Sequence, residues 1–286
     1  MLELVFTVIL PIGLVLVMAG MGLSLTPNDL KRVFVFPRAG LIGLGGQLLM
    51  VPAIAFVLIA IYQPPPAIAI GAVLMAACPG GITSNGYTFA SRGDAALSVT
   101  LTAISSAVTV FTMPLLIYIA LQMFSVNGEK VAMSISQVMG TLFLLAVLPV
   151  GSGMLVRYRW PEFTLRLIEP MRNVTLGMLI LIIVISVVTG WSTIRENFAD
   201  TALVAFSLNI IAMGLGHTIA RLARLPEDQV IAITFEIGIQ NLSLALTVAM
   251  VLLERPDIAA FALVYAMSAK LTSISYVTWS RMRVAR

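Results

Sequence analysis

The sequence predicts an all-α polytopic membrane protein with nine transmembrane helices. Of its 286 residues, 59% are hydrophobic and 10% charged, with a mean hydropathy of +1.03. A soluble domain carries roughly 25% charged residues, so this chain lacks the polar surface to stay in water. In a bilayer the backbone must satisfy its own polar groups, which leaves helices or a closed barrel. Long unbroken apolar runs, in place of ten-residue alternating ones, select helices.

A window of about twenty residues places the spans at 4–23, 39–62, 67–90, 95–123, 135–156, 174–191, 202–219, 230–253 and 258–279. The first follows an acidic Glu3 and precedes Lys31-Arg32, which suits a spanning helix better than a signal peptide. The second ends at Pro64-Pro65-Pro66, and the fourth at the turn pair Asn127-Gly128. Arginines 157, 159, 166 and 172 separate the fifth span from the sixth, and Arg221 and Arg224 close the seventh. The ninth contains Lys270 and ends in Arg281, Arg283 and Arg286. No stretch is long enough for a soluble domain, so 1–286 reads as one transmembrane unit.

Charge then sets an orientation. The net charge is +4, and the basic residues sit in short loops between spans, which signals topology and not nucleic acid. Loops on one side hold 13 Lys and Arg residues, and the other holds Lys130, Arg195 and Arg255. The positive-inside bias puts the N-terminus outside and the C-terminus in the cytoplasm, of the inner (plasma) membrane in a bacterial source. The single cysteine, Cys78, excludes an intrachain disulfide and a multi-cysteine metal cage.

The third and eighth spans are interrupted, by Cys78-Pro79-Gly80-Gly81-Ile82-Thr83-Ser84-Asn85 and by Glu236-Ile237-Gly238-Ile239-Gln240-Asn241. A carboxylate at membrane depth costs roughly 2.5–3.5 kcal/mol even on a lenient scale. Paired interruptions in corresponding halves point to a carrier's binding site. Spans three and eight cross in opposite directions, as an inverted repeat requires. Each break leaves carbonyls at the end of one half-helix and N–H groups at the start of the next; the former suit a cation and the latter an anion. This architecture reads as cation-coupled anion transport.

The residues also resemble a family, the bile acid:sodium symporters. Met21-Gly22-Leu23-Ser24-Leu25-Thr26 is similar to that family's signature at the end of a shared helix, and Gln47 with Met50-Val51-Pro52 to its next helix. Cys78-Pro79-Gly80-Gly81 with Ser84-Asn85, Gly93-Asp94 and Ala96-Leu97-Ser98 with Thr102 match its most distinctive block in order and spacing, and 236–241 matches its second. The chain resembles the nine-helix form, without a leading helix. The resemblance implies a core of two crossed discontinuous helices, a panel formed by spans one, five and six, and two sodium ions as coupling ions with no other cofactor. One sodium site would use Ser84, Asn85, Ser98, Thr102 and Glu236. The other would use Gln47, Glu236 and Gln240 with the carbonyls of Ile237 and Ile239. The substrate, an organic anion such as a bile acid, pantoate or a keto acid, would sit before the starts of the second half-helices, at Ile82, Thr83 and Asn241. A monomer in lipid, without nucleic acid, is expected.

Each residue also has a plainer reading. Glu236 would pair with Lys270, the other charged side chain well inside a span. Ser98 and Thr102 would bond their own helix, Gln47 would bridge two helices, and Pro79 would only kink. His217 and Cys78 would be packing residues. An arsenite-efflux-type carrier leaning on Cys78, or proton coupling through Glu236, are alternatives on the same fold. An enzyme is disfavoured: no H-E-x-x-H, no G-x-S-x-G and no second intramembrane carboxylate occurs.

Overall fold

The computed structural model describes residues 8, 10–24, 36–124, 135–196 and 198–284. Leu25 and Thr26 of the first motif, Lys31, Arg32, Lys130 and Arg286 lie outside them. The described elements are helical throughout. They run α1 (Leu10–Ser24), α2 (Pro37–Tyr62), α3 (Pro66–Ala77), α4 (Ile82–Ala90) and α5 (Ala95–Met123). Next come α6 (Ile135–Leu142, the π turn Phe143–Val147 and Leu148–Arg159), α7 (Pro161–Glu196) and α8 (Phe198–Leu222). The chain closes with α9 (Glu227–Gly238), α10 (Leu242–Thr247 and the π turn Val248–Leu252) and α11 (Pro256–Val284). Among the described residues five helices are long and apolar enough to cross a membrane: Pro37–Tyr62, Ala95–Met123, Met139–Arg159, Phe198–Leu222 and Pro256–Met282.

Local chemistry explains the boundaries. Pro37, Pro66, Pro161 and Pro256 each open a helix, where a missing N–H costs nothing and φ is already helical. The Asp94 side chain caps α5 by accepting from the Leu97 N–H at 2.9 Å. Among the described residues four non-glycines adopt positive φ, namely Gln63, Arg92, Arg224 and Glu254, and each follows a helix end, where a left-handed residue stops the spiral. α7 is longer than the expected 174–191. It absorbs Arg166 and Arg172, placed in a loop by hydropathy, because Pro161 restarts the helix one residue after Trp160 ends α6. A hydropathy window misses such a polar extension.

α2 and α6 each contain a π turn, Gly46–Met50 and Phe143–Val147, ending two residues before Pro52 and Pro149. Proline removes a donor and its ring presses on the carbonyl four residues back; a widened turn relieves both.

The hub of the molecule is the pair of first half-helices. α3 is buried from Ile68 to Ala77, as expected of a helix that is apolar or small on every face, and α9 is buried from Gln229 to Gly238 although it carries Gln229, Thr234 and Glu236. α2, α5, α8 and α11 wrap them. Between α3 and α4, and between α9 and α10, the chain is extended at Cys78 and Ile239. The two extended segments pair: Gly80 and Gln240 form an antiparallel bridge, with Gly81 N–H donating to Ile239 O at 3.0 Å and Asn241 N–H to Pro79 O at 2.9 Å. The discontinuous helices therefore meet at their breaks.

α1 packs most closely on α6 and α7, through glycines. A Cβ on Gly22 would lie 2.2 Å from Val150 O, and one on Gly153 2.5 Å from Ala19 O. Both obstacles are backbone and cannot turn aside. Gly22→Ala and Gly153→Ala should each destabilise the protein by about 1–3 kcal/mol, the usual range for overpacking. Gly140→Ala, which would meet nothing within 4 Å, should be neutral or stabilising. Heating in detergent followed by size exclusion checks this; equal midpoints for all three would refute the close packing.

Candidate functional site

Glu236, near the end of α9, is fully buried. A carboxylate there must be surrounded by donors or cations, and the crossing supplies hydroxyls. Ser84 Oγ on α4 donates to Glu236 Oε2 at 2.9 Å. Thr102 Oγ1 on α5 lies 2.9 and 2.8 Å from the two carboxylate oxygens, and Ser98 Oγ lies 3.5 Å from Oε2. Asn85 completes the group, its Oδ1 accepting from Ser98 Oγ at 2.6 Å and from Thr102 Oγ1 at 3.4 Å. All five residues assigned to the first sodium site thus come together from α4, α5 and α9. Ser98 and Thr102, one helical turn apart, present both hydroxyls to the same carboxylate.

The plainer reading of Thr102 is also realised, since its Oγ1 is 3.0 Å from Ser98 O; its one hydroxyl proton is shared between that carbonyl and the carboxylate, while its lone pairs stay open to a cation. Pairing of Glu236 with Lys270 is not: Lys270 is exposed, and the bonds of Glu236 come from hydroxyls. Gly80 makes room for this arrangement. A Cβ there would sit 2.0 Å from Glu236 Oε1, so the glycine is required by the close approach of the carboxylate to the bridge, which a mere kink would not demand.

Beside this group lies a second. Gln47 and Gln240 form a reciprocal amide pair, Gln47 Nε2 donating to Gln240 Oε1 at 2.7 Å and Gln240 Nε2 to Gln47 Oε1 at 3.3 Å. Each amide also donates to a carbonyl at 2.8 Å, Gln47 to Cys78 O and Gln240 to Ile237 O. Ile239 O accepts from Gly81 N–H. The π turn holds Gln47, and Gly46 beside it lets α2 approach α9: a Cβ on Gly46 would lie 2.3 Å from Ile237 Cδ1. Gln47 does bridge two helices, and it does so onto the second set of oxygens.

The expected substrate contacts are less uniform. Thr83 is exposed in the first turn of α4, and Ile82 begins that helix. Asn241 is buried and acts as the N-cap of α10, its Oδ1 accepting from Leu244 N–H at 3.1 Å. Ser84 N–H bonds Gly81 O at 2.9 Å. One donor of each second half-helix is therefore taken within its own segment, which narrows the set of N–H groups expected to be free. A cavity of about 150 Å³ adjoins the crossing, lined by Pro79 and Leu244, by Met18 of α1, by Ser106 and Thr109 of α5 and by Val150 of α6.

Reading the sequence missed the supports of Gly238 O. Asn209 Nδ2 on α8 donates to it at 2.8 Å and Tyr265 OH on α11 at 2.9 Å. Ser268 and Thr272 in turn donate to Asn209 Oδ1 at 3.2 and 2.6 Å. A mid-span asparagine was as informative as Gln47, and the same rule finds it. His217 packs edge-on to Tyr276 and Trp279 and is 2.8 Å from Tyr276 OH. Cys78 is buried in the apolar core. Among the described residues no three His, Cys, Asp or Glu side chains come together. The assembled donors are one carboxylate with neutral hydroxyl, amide and carbonyl oxygens, suited to a hard cation.

Residues 11–197 match the Sodium Bile acid symporter family. The chain belongs to that family. Its members are transporters, and they are not enzymes. The match includes the 78–85 break and ends before Glu236, so the placement of the second break rests on the geometry above. Among curated relatives, an uncharacterized sodium-dependent transporter, YocS, of Bacillus subtilis is 32% identical over 82% of this chain and 71% of its own length. A sodium-dependent organic anion transporter of Bos taurus is 30% identical over 86% of this chain and 64% of its own. A probable chloroplastic sodium/metabolite cotransporter, BASS1, of Arabidopsis thaliana is 28% identical over 83% of this chain and 58% of its own. The chain spans from about half to seven-tenths of the length of such relatives. With five membrane-capable helices among the described residues, it is an integral membrane protein of a sodium-dependent transporter family.

Glu236→Gln keeps shape and removes charge. It should abolish sodium-dependent uptake into vesicles while leaving insertion and size-exclusion behaviour intact; wild-type uptake with unchanged sodium dependence would refute the assignment. Thr102→Ala and Ser98→Ala should each raise the sodium concentration for half-maximal uptake, by about tenfold for Thr102, since a hydrogen bond to a charged group is worth about 1.5–3 kcal/mol. If neither value moves, both side chains serve only their helix. Gly80→Ala should lose sodium dependence as fully as Glu236→Gln, through the clash alone.

Proposed function

We propose that the protein is a secondary active transporter that carries a small organic anion inward with sodium by alternating access. The observation that carries this reading is the crossing: two opposed discontinuous helices joined at their breaks, with one buried carboxylate ringed by neutral oxygens. In this reading, two sodium ions share Glu236, one among Ser84, Asn85, Ser98 and Thr102, the other between Gln47, Gln240 and the carbonyls of Ile237 and Ile239. Two monovalent cations on one carboxylate leave net positive charge at the crossing, which favours an anion in front of it. The half-helix starts at Ile82-Thr83 and beyond Asn241 add their dipoles, each worth about 0.3–1 kcal/mol when exposed.

The antiparallel sense of the Gly80–Gln240 bridge supports an inverted repeat; the nine spans rest on the hydropathy windows, and the N-terminus outside and C-terminus cytoplasmic on the uneven distribution of basic residues. The close glycine contacts of α1 with α6 support a panel of α1, α6 and α7, leaving α2–α5 and α8–α11 as the core. In this reading the body of the substrate lies in the cavity at Pro79 and Leu244, between panel and core, with its charged end toward the half-helix start at Thr83. At about 150 Å³ the cavity is smaller than the ~300–1,000 Å³ typical of drug-sized ligands, which favours a compact carboxylate such as pantoate or a keto acid over a steroid conjugate. The names of relatives that carry organic anions or metabolites with sodium agree with this reading.

Asn241 caps α10 one residue beyond Gln240, so it is the coupling residue of this scheme: a ligand shifts a conformational equilibrium only through differential contacts. Asn241→Ala should weaken anion binding several-fold and reduce the enhancement of that binding by sodium. Linkage requires that bound anion raise sodium affinity by the same factor. Calorimetric titration in each order tests both statements. Anion binding that is indifferent to sodium, or neutral analogues that bind as tightly, would overturn the proposal.

A further inference from the structure

Lys270 stands at the midpoint of α11, fourteen residues from Pro256 and fourteen from Val284. At about 1.5 Å per residue, either helix end is ~21 Å away. The apolar core of a bilayer is about 30 Å thick, so a mid-depth ammonium must cover ~15 Å to reach a headgroup layer, further than its four-carbon stem extends. Lysines near helix ends snorkel out of lipid; this one is too deep to do so. The side chain is exposed and has no ion pair or hydrogen bond among the described residues.

Its depth is tied to the crossing. Tyr265 and, through Asn209, Ser268 reach Gly238 O, and Lys270 follows Ser268 by two residues, about 3 Å along the axis. Its direction is tied to α4. Lys270, Ile274, Val277 and Arg281 share one stripe of α11 at spacings of four, seven and eleven. At the far end of that stripe Arg281 Nε and Nη2 donate to Ala90 O at 3.0 and 2.8 Å, and Val277 packs on the same cluster as Tyr87. Thr83, Tyr87 and Ala90 form the matching stripe of α4. The stripes are closed at the Ala90 end and open at the other. Thr83, Gly86, Lys270 and Ile274 are all exposed, and a Cβ on Gly86 would meet nothing within 4 Å.

We propose that Lys270 is the counter-charge of the transported anion, its ammonium meeting a carboxylate in the open gap between α4 and α11 beside Thr83. The inference rests on the reading of the protein as an anion carrier and adds a residue to it. A charge at this depth is costly unless partnered, and Glu236, held by its hydroxyls inside the core, is not its partner. A carboxylate arriving in the gap is attracted in a medium of low dielectric, where the attraction is strong. An ammonium also discriminates between an acid and its neutral derivative, a selectivity that packing alone does not confer.

The test uses the full chain purified in detergent with saturating sodium and three probes: pantoate, its neutral lactone and 2-oxoisovalerate. Lys270→Gln should weaken binding of the better acid at least tenfold, leave the lactone unaffected and leave sodium affinity in the absence of acid within twofold of wild type. Lys270→Arg should restore binding to within about threefold. Acid binding by Lys270→Gln equal to wild type overturns the inference while the carrier reading stands. Failure of the wild type to bind either acid overturns both. Independently, Lys270→Cys in a Cys78→Ala background should react with an anionic, water-soluble methanethiosulfonate in proteoliposomes. Reaction only with a lipophilic maleimide would place the side chain in lipid and overturn the inference.

Discussion

The structure depends on two chain breaks that satisfy each other. A helix interrupted inside a membrane exposes N–H and C=O groups that lipid cannot bond, at several kcal/mol each. Here Gly81 N–H is taken by Ile239 O, Asn241 N–H by Pro79 O, and Gly80 faces Gln240 across an antiparallel bridge. Neither break is tolerable alone, and together they cost little. The buried half-helices α3 and α9 follow from this constraint, because the bridge must be kept from lipid on all sides by the helices around it.

Once the breaks are paired, what remains at the crossing is chemistry. The bridge carries glycine at position 80, and the space a side chain would have filled is where the Glu236 carboxylate rests. The hydroxyls of Ser84, Ser98 and Thr102 then do what water would do for an exposed carboxylate. Their geometry is that of a ligand cage whose single formal charge is negative. The Gln47–Gln240 amide pair adds neutral oxygens without adding charge, so the crossing as a whole carries a single carboxylate.

Much of this was legible in the residues. The breaks could be read because proline, glycine and carboxylate are out of place in an apolar run, and Glu236 because a carboxylate at membrane depth requires partners; Ser84, Ser98, Thr102, Gln47 and Gln240 were legible through the resemblance to the symporter family, since a serine or threonine in a helix ordinarily bonds its own backbone. The limits were physical too. The extension of α7 back to Pro161 is polar and leaves no hydropathy signal. The π turns register only as a widening of hydrogen bonds, which a side-chain pattern does not encode. Asn209 and Tyr265 went unread because they serve a backbone carbonyl, Gly238 O, that no motif names. The side-chain oxygen of Asn241 caps α10, a role its neighbours in sequence do not announce.

The π turn at Gly46–Met50 is, in effect, a one-residue insertion carried by α2. Each residue of a regular helix turns the chain by about 100°, so the inserted residue sets the rotation of everything before it relative to everything after. Gln47 faces α9 only in that setting. A lineage that lost one residue from this turn would keep a smoother helix and an unchanged hydropathy profile, yet would swing Gln47 away from Gln240. Alignment length through 46–52 is thus a more sensitive marker of an intact Gln47–Gln240 pair than the presence of a glutamine nearby.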